Sequence, residues 1–158
     1  MNKFVIHTDG GSRGNPGPAA IGVVIEGSHL HGHHASLHGA HVGSMVKEYA
    51  EPIGIATNNE AEYKAVIFAL KKLKQLIGQE KAKASEVEFI VDSELLAKQM
   101  NHEYKVKEEG IQKLFLEAHN LSLDFDKVSF THVLRNKNTR PDELLNQILD
   151  REENKLSL

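Results

Sequence analysis

The sequence predicts an α/β fold: a mixed five-stranded sheet, three antiparallel strands followed by parallel ones, flanked by helices on both faces. Three observations carry that prediction. Three β-rich segments stand in a row at the start, helical and strand-like segments alternate after them, and 158 residues suit one domain with a single core, so 1–158 is read as one unit.

Residues 4–9 form a β-rich run that stops at DGGSRGNPGP, whose glycines and prolines end regular structure. Residues 20–25 are apolar and β-branched enough for a second strand, and 45–52 for a third. Thr57-x-x-Glu60 is a capping-box pattern, and Ala61, Ala65, Phe68, Ala69, Leu73 and Leu76 recur at helical spacing up to Gly78. The Lys-rich stretch 79–85 reads as a surface connection. A strand at 87–91 ends in Asp92-Ser93, a natural helix start, and a short helix runs from there to about Met100. NHEYKVKEEG reads as a loop, and Ile111, Leu114, Phe115, Ala118 and Leu121 predict a helix over 111–121. Residues 128–134 alternate as a strand, 135–140 are loop-like, and Pro141 opens a last helix to about Glu153.

Composition excludes several classes of function. With no cysteine there is no disulfide framework, thiolate metal site or cysteine nucleophile. No apolar run is long enough to span a membrane, and the start lacks the basic-then-apolar pattern of an export signal, so a cytoplasmic protein is expected. Its 22 acidic residues exceed the 19 lysines and arginines, giving a formal charge of -3, so nothing global advertises a polyanion partner. Six of the ten histidines lie between His29 and His41, inside a Gly- and Ser-containing stretch at about 27–43. That stretch reads as an extended hairpin insertion with adventitious metal affinity, or as a patch that gains positive charge below about pH 6.5.

Four acids stand at the ends of elements. Asp9 and Asp92 close strands, Glu62 lies in the early turns of the capped helix, and Asp142 opens the last helix. Taken singly, each also suits a turn, a cap or a helix dipole. If the first and fourth strands are parallel neighbours, however, the four converge where strand order reverses, the crevice in which open α/β sheets bind ligands. Gathered carboxylates repel one another, and a hard cation resolves the conflict. Two divalent ions about 3.5–4 Å apart are a standard arrangement for attack on a phosphodiester, and an all-oxygen donor set favours magnesium.

TDGGSRGNPGPAAIGVVI, TNNEAEYKAVIFAL, VDSELLAKQM and HVLRNKNTRPDELLNQ resemble, in order and spacing, the four motifs of type 1 ribonuclease H, each with one acid of that family's Asp-Glu-Asp-Asp set. The resemblance implies a ribonuclease H-like sheet, with Asp9, Glu62, Asp92 and Asp142 as catalytic ligands of two Mg2+ ions, for which Mn2+ can substitute. It implies endonucleolytic hydrolysis of the RNA strand of an RNA/DNA hybrid, leaving 5'-phosphate and 3'-hydroxyl ends. Asp9 would bridge the ions, with Glu62 and Asp92 on the leaving-group side and Asp142 on the nucleophile side. Arg135 stands where the family places an auxiliary histidine or arginine, while His132 reads as a strand residue. Gly10, Gly11, Ser12, Asn15, Thr57, Asn58, Asn59 and Asn138 match substrate-contacting positions, although turn and capping roles fit several of them too.

With no tryptophan and only NHEYKVKEEG after the third motif's helix, the chain resembles the short form of the family, without its basic protrusion or a preceding hybrid-binding domain. Weaker and more salt-sensitive hybrid binding follows. A monomer with no obligatory protein partner is expected. Two competing readings remain: the same fold acting on double-stranded RNA or on DNA, and a non-catalytic module that binds hybrids or holds metal through its histidines.

Overall fold

A computed structural model describes residues 2–28 and 44–156; the histidine-rich stretch from His29 to His41 lies outside them. The elements are β1 (Asn2–Ser12), β2 (Gly17–Ser28), β3 (Ser44–Ala56), α1 (Asn58–Ile77), α2 (Gln79–Lys83), β4 (Ser85–Val91), α3 (Glu94–Met100), α4 (Glu109–Ser122), β5 (Lys127–His132) and α5 (Thr139–Leu156), with a single 3-10 turn at Arg135–Lys137 before α5. The five strands form one sheet in the order β3-β2-β1-β4-β5. β1 pairs antiparallel with β2, and β2 with β3, whereas β4 is parallel to both β1 and β5. The mixed sheet expected from the sequence is the one observed.

The helices follow their local signals. Thr57 caps α1 by accepting from the Glu60 amide while the Glu60 side chain accepts from Thr57 N–H, and Gly78, at φ 84°, ends it. Ser93 caps α3 by accepting from Leu96 N–H. Several boundaries differ from expectation. β1 runs past Asp9 to Ser12, β2 begins at Gly17 and β3 continues to Ala56, because pairing with the neighbouring strand holds glycines and prolines that suit turns when read locally. The stretch read as a surface connection contains α2, anchored by a buried Ala82 that too little apolar periodicity announces. The last strand stops at His132 instead of Leu134, which is 68% exposed, and α5 begins two residues before Pro141 and runs on to Leu156.

Alternation along β4 buries Ser85, Val87, Phe89 and Val91. Phe89 stacks on Phe130 of β5 with ring centroids 4.9 Å apart, and the same core takes in Phe4, Ile6, Val66, Leu70 and Leu73. Burying each such side chain contributes about 1.5–3 kcal/mol. A smaller apolar cluster, Ala20 with Leu145 and Leu149, joins α5 to the sheet.

Neighbouring glycines show how closely the helices approach. A Cβ at Gly10 would overlap the backbone of Ala61 and Glu62 on α1, whereas one at Gly11 would touch Leu145 on α5. Successive strand residues point to opposite faces, so α1 and α5 cover opposite faces of the sheet. Gly22, directly opposite Asp9 on β2, sits beneath the Pro141 backbone in the same way.

Candidate active site

The parallel register of β1 and β4 ends at His7 opposite Ile90. Continued by two residues, it sets Asp9 beside Asp92 at the carboxyl edge. Glu62 arrives from the second turn of α1, held close by Gly10, and Asp142 from the first turn of α5, held close by Gly22. The four acids line one crevice of about 450 Å³ together with Gly10, Gly11, Ser12, Asn58, Asn59 and Arg135. One carboxylate oxygen from each of Asp9, Glu62 and Asp92 lies within 4.8 Å of the others. Asp142 is within hydrogen-bonding reach of Asp9.

This crowding shifts the acids in one direction. Burial, then the charges of Asp92 and Asp142, pushes Asp9 from 3.8 up to about 8, against a hydrogen bond from Glu62 that favours its charged form. Burial holds Glu62 well above the usual carboxylate range, followed by the neighbouring Asp9 and Asp92, with the Gly10 amide opposing. Asp92 is raised by burial, while Arg135 and a hydrogen bond from Asn138 pull it back down. Glu62 Oε2 and Asp92 Oδ2 are buried without a hydrogen-bond partner. Unpaired carboxylate oxygens facing a shared polar crevice are costly alone and well matched to a hard divalent cation, so the donor set fits magnesium or manganese.

The remaining residues named from sequence divide into two groups. Ser12, Asn15 and Asn58 form a small hydrogen-bonded rim: Ser12 N–H donates to Asn58 Oδ1 at 2.9 Å and Asn58 N–H to Asn15 Oδ1 at 2.9 Å. Asn58 and Asn59 are exposed beside the crevice, as is Arg135, and His132 is exposed at the end of β5 within electrostatic reach of Asp92. By contrast, Gly10 is buried beneath α1, Thr57 is occupied as the cap, and Asn138 is 1% exposed. Asn138 Nδ2 donates to the Thr8 carbonyl at 2.8 Å, so this residue braces the turn before α5 against β1 from beneath the acids. Replacing Asn138 with Ala should therefore lower stability by about 1–3 kcal/mol, the cost of a buried carbonyl left unpaired, visible as a drop in melting temperature without substrate. A melting temperature equal to wild type would place its role in substrate contact alone.

Sequence reasoning missed Asn146, which also lines the crevice. Its Nδ2 donates to Asp142 Oδ1 at 3.1 Å and to the Asp142 carbonyl at 2.8 Å. The i, i+4 spacing from Asp142 on a helix was the available signal.

The reverse transcriptase-like family profile matches residues 7–147. The N-terminal RNase H domain of a Mycobacterium tuberculosis protein superposes with a TM-score of 0.79 at 34% identity, covering 99% of both chains. The chain belongs to the type 1 ribonuclease H family. An RNase H1 isolated from compost, solved in complex with an RNA/DNA hybrid, matches at 39% identity and TM-score 0.77 over 94% of this chain and 98% of that one. The ribonuclease HI of Halobacterium salinarum is 36% identical over 90% of this chain, which spans 62% of that protein. The chain spans 36% of the full-length bifunctional protein of Mycobacterium tuberculosis, again at 36% identity. The ribonuclease H fold thus accounts for the meeting of four acids far apart in sequence. Residues 101–108 connect α3 directly to α4, and Gln99 Nε2 donates to the Lys105 carbonyl there at 3.3 Å. No helix among the described residues is long and apolar enough to cross a membrane.

Proposed function

We propose that the protein is a ribonuclease H that hydrolyses the RNA strand of RNA/DNA hybrids endonucleolytically, with two divalent cations, magnesium or manganese, leaving 5'-phosphate and 3'-hydroxyl ends. The observation that carries this reading is the convergence of Asp9, Glu62, Asp92 and Asp142 on one polar crevice with buried, unpartnered carboxylate oxygens. When bound, the cations supply Lewis-acid activation of water and neutralisation of the charge that develops on the leaving oxygen.

The chain's own groups supply the rest. Asp9, Glu62, Asp92 and Asp142 would hold the cations, with Asp9 central among the acids and shared between them, Glu62 and Asp92 serving the leaving-group side and Asp142 the nucleophile side. Arg135, exposed at the crevice edge, suits a phosphate with its planar fork of donors. Ser12, Asn15, Asn58 and Asn59 offer neutral donors and acceptors along the sugar-phosphate backbone, and Gly11 lets that backbone come close. The 2'-hydroxyl beside the scissile phosphate, which only the RNA strand has, provides the discrimination. Asn138 and Thr57 act beneath the surface as brace and cap.

The test is cleavage of labelled RNA/DNA hybrid, double-stranded RNA and double-stranded DNA by pure protein with Mg2+. Hybrid alone should be cut, and cutting should vanish in Asp9→Asn. Intact hybrid after incubation with wild type would reject the reading, and equal cutting of double-stranded RNA would move the substrate to duplex RNA in general.

A further inference from the structure

Arg13 lies in the turn between β1 and β2, outside the acids and outside the rim formed by Ser12, Asn15 and Asn58. Its guanidinium reaches across to α5. Nη2 donates to Asn146 Oδ1 at 3.3 Å and pairs with Asp150 Oδ1 at 2.6 Å, while Nη1 pairs with Glu153 Oε1 at 2.7 Å. The side chain is only 30% exposed, so these partners hold it in place on the helix.

Asn146 has two ends, and they are chemically different. The amide nitrogen must face Asp142, because that carboxylate and the Asp142 carbonyl are both acceptors. A flipped amide would bring its oxygen against Asp142 and turn two hydrogen bonds into repulsion. Arg13, which carries donors only, occupies the oxygen end and so fixes which way the amide points. The chain of contacts runs Arg13 to Asn146 to Asp142, donor to acceptor at each step. It satisfies Asp142 Oδ1 from the helix side of a residue that lines the crevice.

We propose that Arg13 is a positioning residue for cation binding: acting through Asn146, it presets the orientation of Asp142 before any cation or substrate arrives. Outer partners of metal ligands commonly set affinity by about 10–100-fold, because a preoriented carboxylate loses less freedom on binding. The inference rests on the reading of Asp142 as a cation ligand. Arg140 supplies an internal contrast. It is an arginine of α5 itself that also ties the helix to the sheet, with Nε 2.5 Å from Glu48 Oε2, yet it makes no described hydrogen bond to Asn146 or to Asp142.

The experiment is calorimetric titration of Mn2+ into the metal-free full chain, beside thermal melts and hybrid cleavage across a range of Mn2+ concentrations. Arg13→Ala and Asn146→Ala should each weaken Mn2+ binding by about 10-fold, and the double variant should bind no more weakly than Asn146→Ala alone. Arg13→Lys should keep the melting temperature, through a cation beside Asp150, and still lose Mn2+ affinity. Arg140→Ala should leave affinity within about two-fold of wild type, which separates a relay to Asp142 from a general loosening of α5. Additive losses in the double variant would overturn the proposal, as would an Arg13→Ala protein with wild-type Mn2+ affinity and a raised KM for hybrid, the signature of a phosphate contact. If Asp142→Asn itself leaves Mn2+ binding unchanged, the ligand assignment fails and takes this inference with it. If Asp142→Asn weakens binding while Arg13→Ala does not, the relay alone is overturned.

Discussion

Asp9→Asn should yield a protein that melts higher than wild type without metal and cuts no hybrid. The two effects share one cause. In the folded chain Asp9 is held at about 8 by burial and by Asp92 and Asp142, whereas an unfolded aspartate titrates near 3.8. Between those two values the folded state binds a proton that the unfolded state has released, so stability falls as pH rises through the window. Glu62, also raised, adds to the fall. Asparagine removes a charge that the metal-free crevice disfavours, and at pH 8 this should stabilise by about 2 kcal/mol, or ~4–8 °C in melting temperature. Mg2+ should raise the melting temperature of wild type more at pH 8 than at pH 5, since cations bind the deprotonated acids and must displace fewer protons there. In Asp9→Asn that increment should shrink sharply. Melts of both proteins at the two pH values, with and without Mg2+, decide the matter. A lower melting temperature for the metal-free variant at pH 8, or a wild-type melting temperature indifferent to pH, would mean that the four acids do not strain the fold.

Gly22→Ala and Gly10→Ala should be the most damaging single-methyl changes in the sheet. At Gly22 the added carbon falls on the Pro141 carbonyl, and at Gly10 on the backbone between Ala61 and Glu62. Neither neighbour is a flexible side chain that can swing away; each is helix backbone, so the whole helix must lift. Overpacking of this kind costs about 3 kcal/mol. Lifting α5 moves Asp142, and lifting α1 moves Glu62, so cleavage assayed well below the melting temperature should fall by at least about 100-fold, as displacement of a reacting group by an ångström does. Gly110→Ala is the control: open space surrounds that site in α4, and stability should stay within about 0.5 kcal/mol of wild type or rise slightly. A Gly22→Ala protein with wild-type melting temperature and activity would show that α5 is free to shift over the sheet.

How much of this was legible beforehand depends on the range of each signal. The capping box at Thr57 and Glu60, the start of α3 at Ser93 and the alternation of β4 are written in neighbouring residues, and the structure reproduces them. The four acids were legible through their motifs, and their meeting followed once β1 and β4 were taken as parallel neighbours. Ala82 on α2 was not, because one buried methyl in a Lys-rich stretch has no periodicity. Asn138 matched a substrate-contacting position of the family motif; only its bond to Thr8, 130 residues away, shows it as a brace. Arg13 and Asn146 lie 133 residues apart, and a donor and an acceptor at that separation leave no pattern in either segment. The demand for glycine at position 22 likewise comes from a helix that the strand itself does not encode.

The main core and the small cluster under α5 support the crevice unequally. Asp9, Glu62 and Asp92 are carried by β1, α1 and β4, all rooted in the main core, whereas Asp142 rides on a helix whose apolar hold is the small group Ala20, Leu145 and Leu149, supplemented by ion pairs at its surface. Local opening is cheapest where few apolar contacts must be broken. Three of the acids therefore stand on the main core, whereas the seat of the fourth depends on a small apolar patch and on ion pairs at the protein surface.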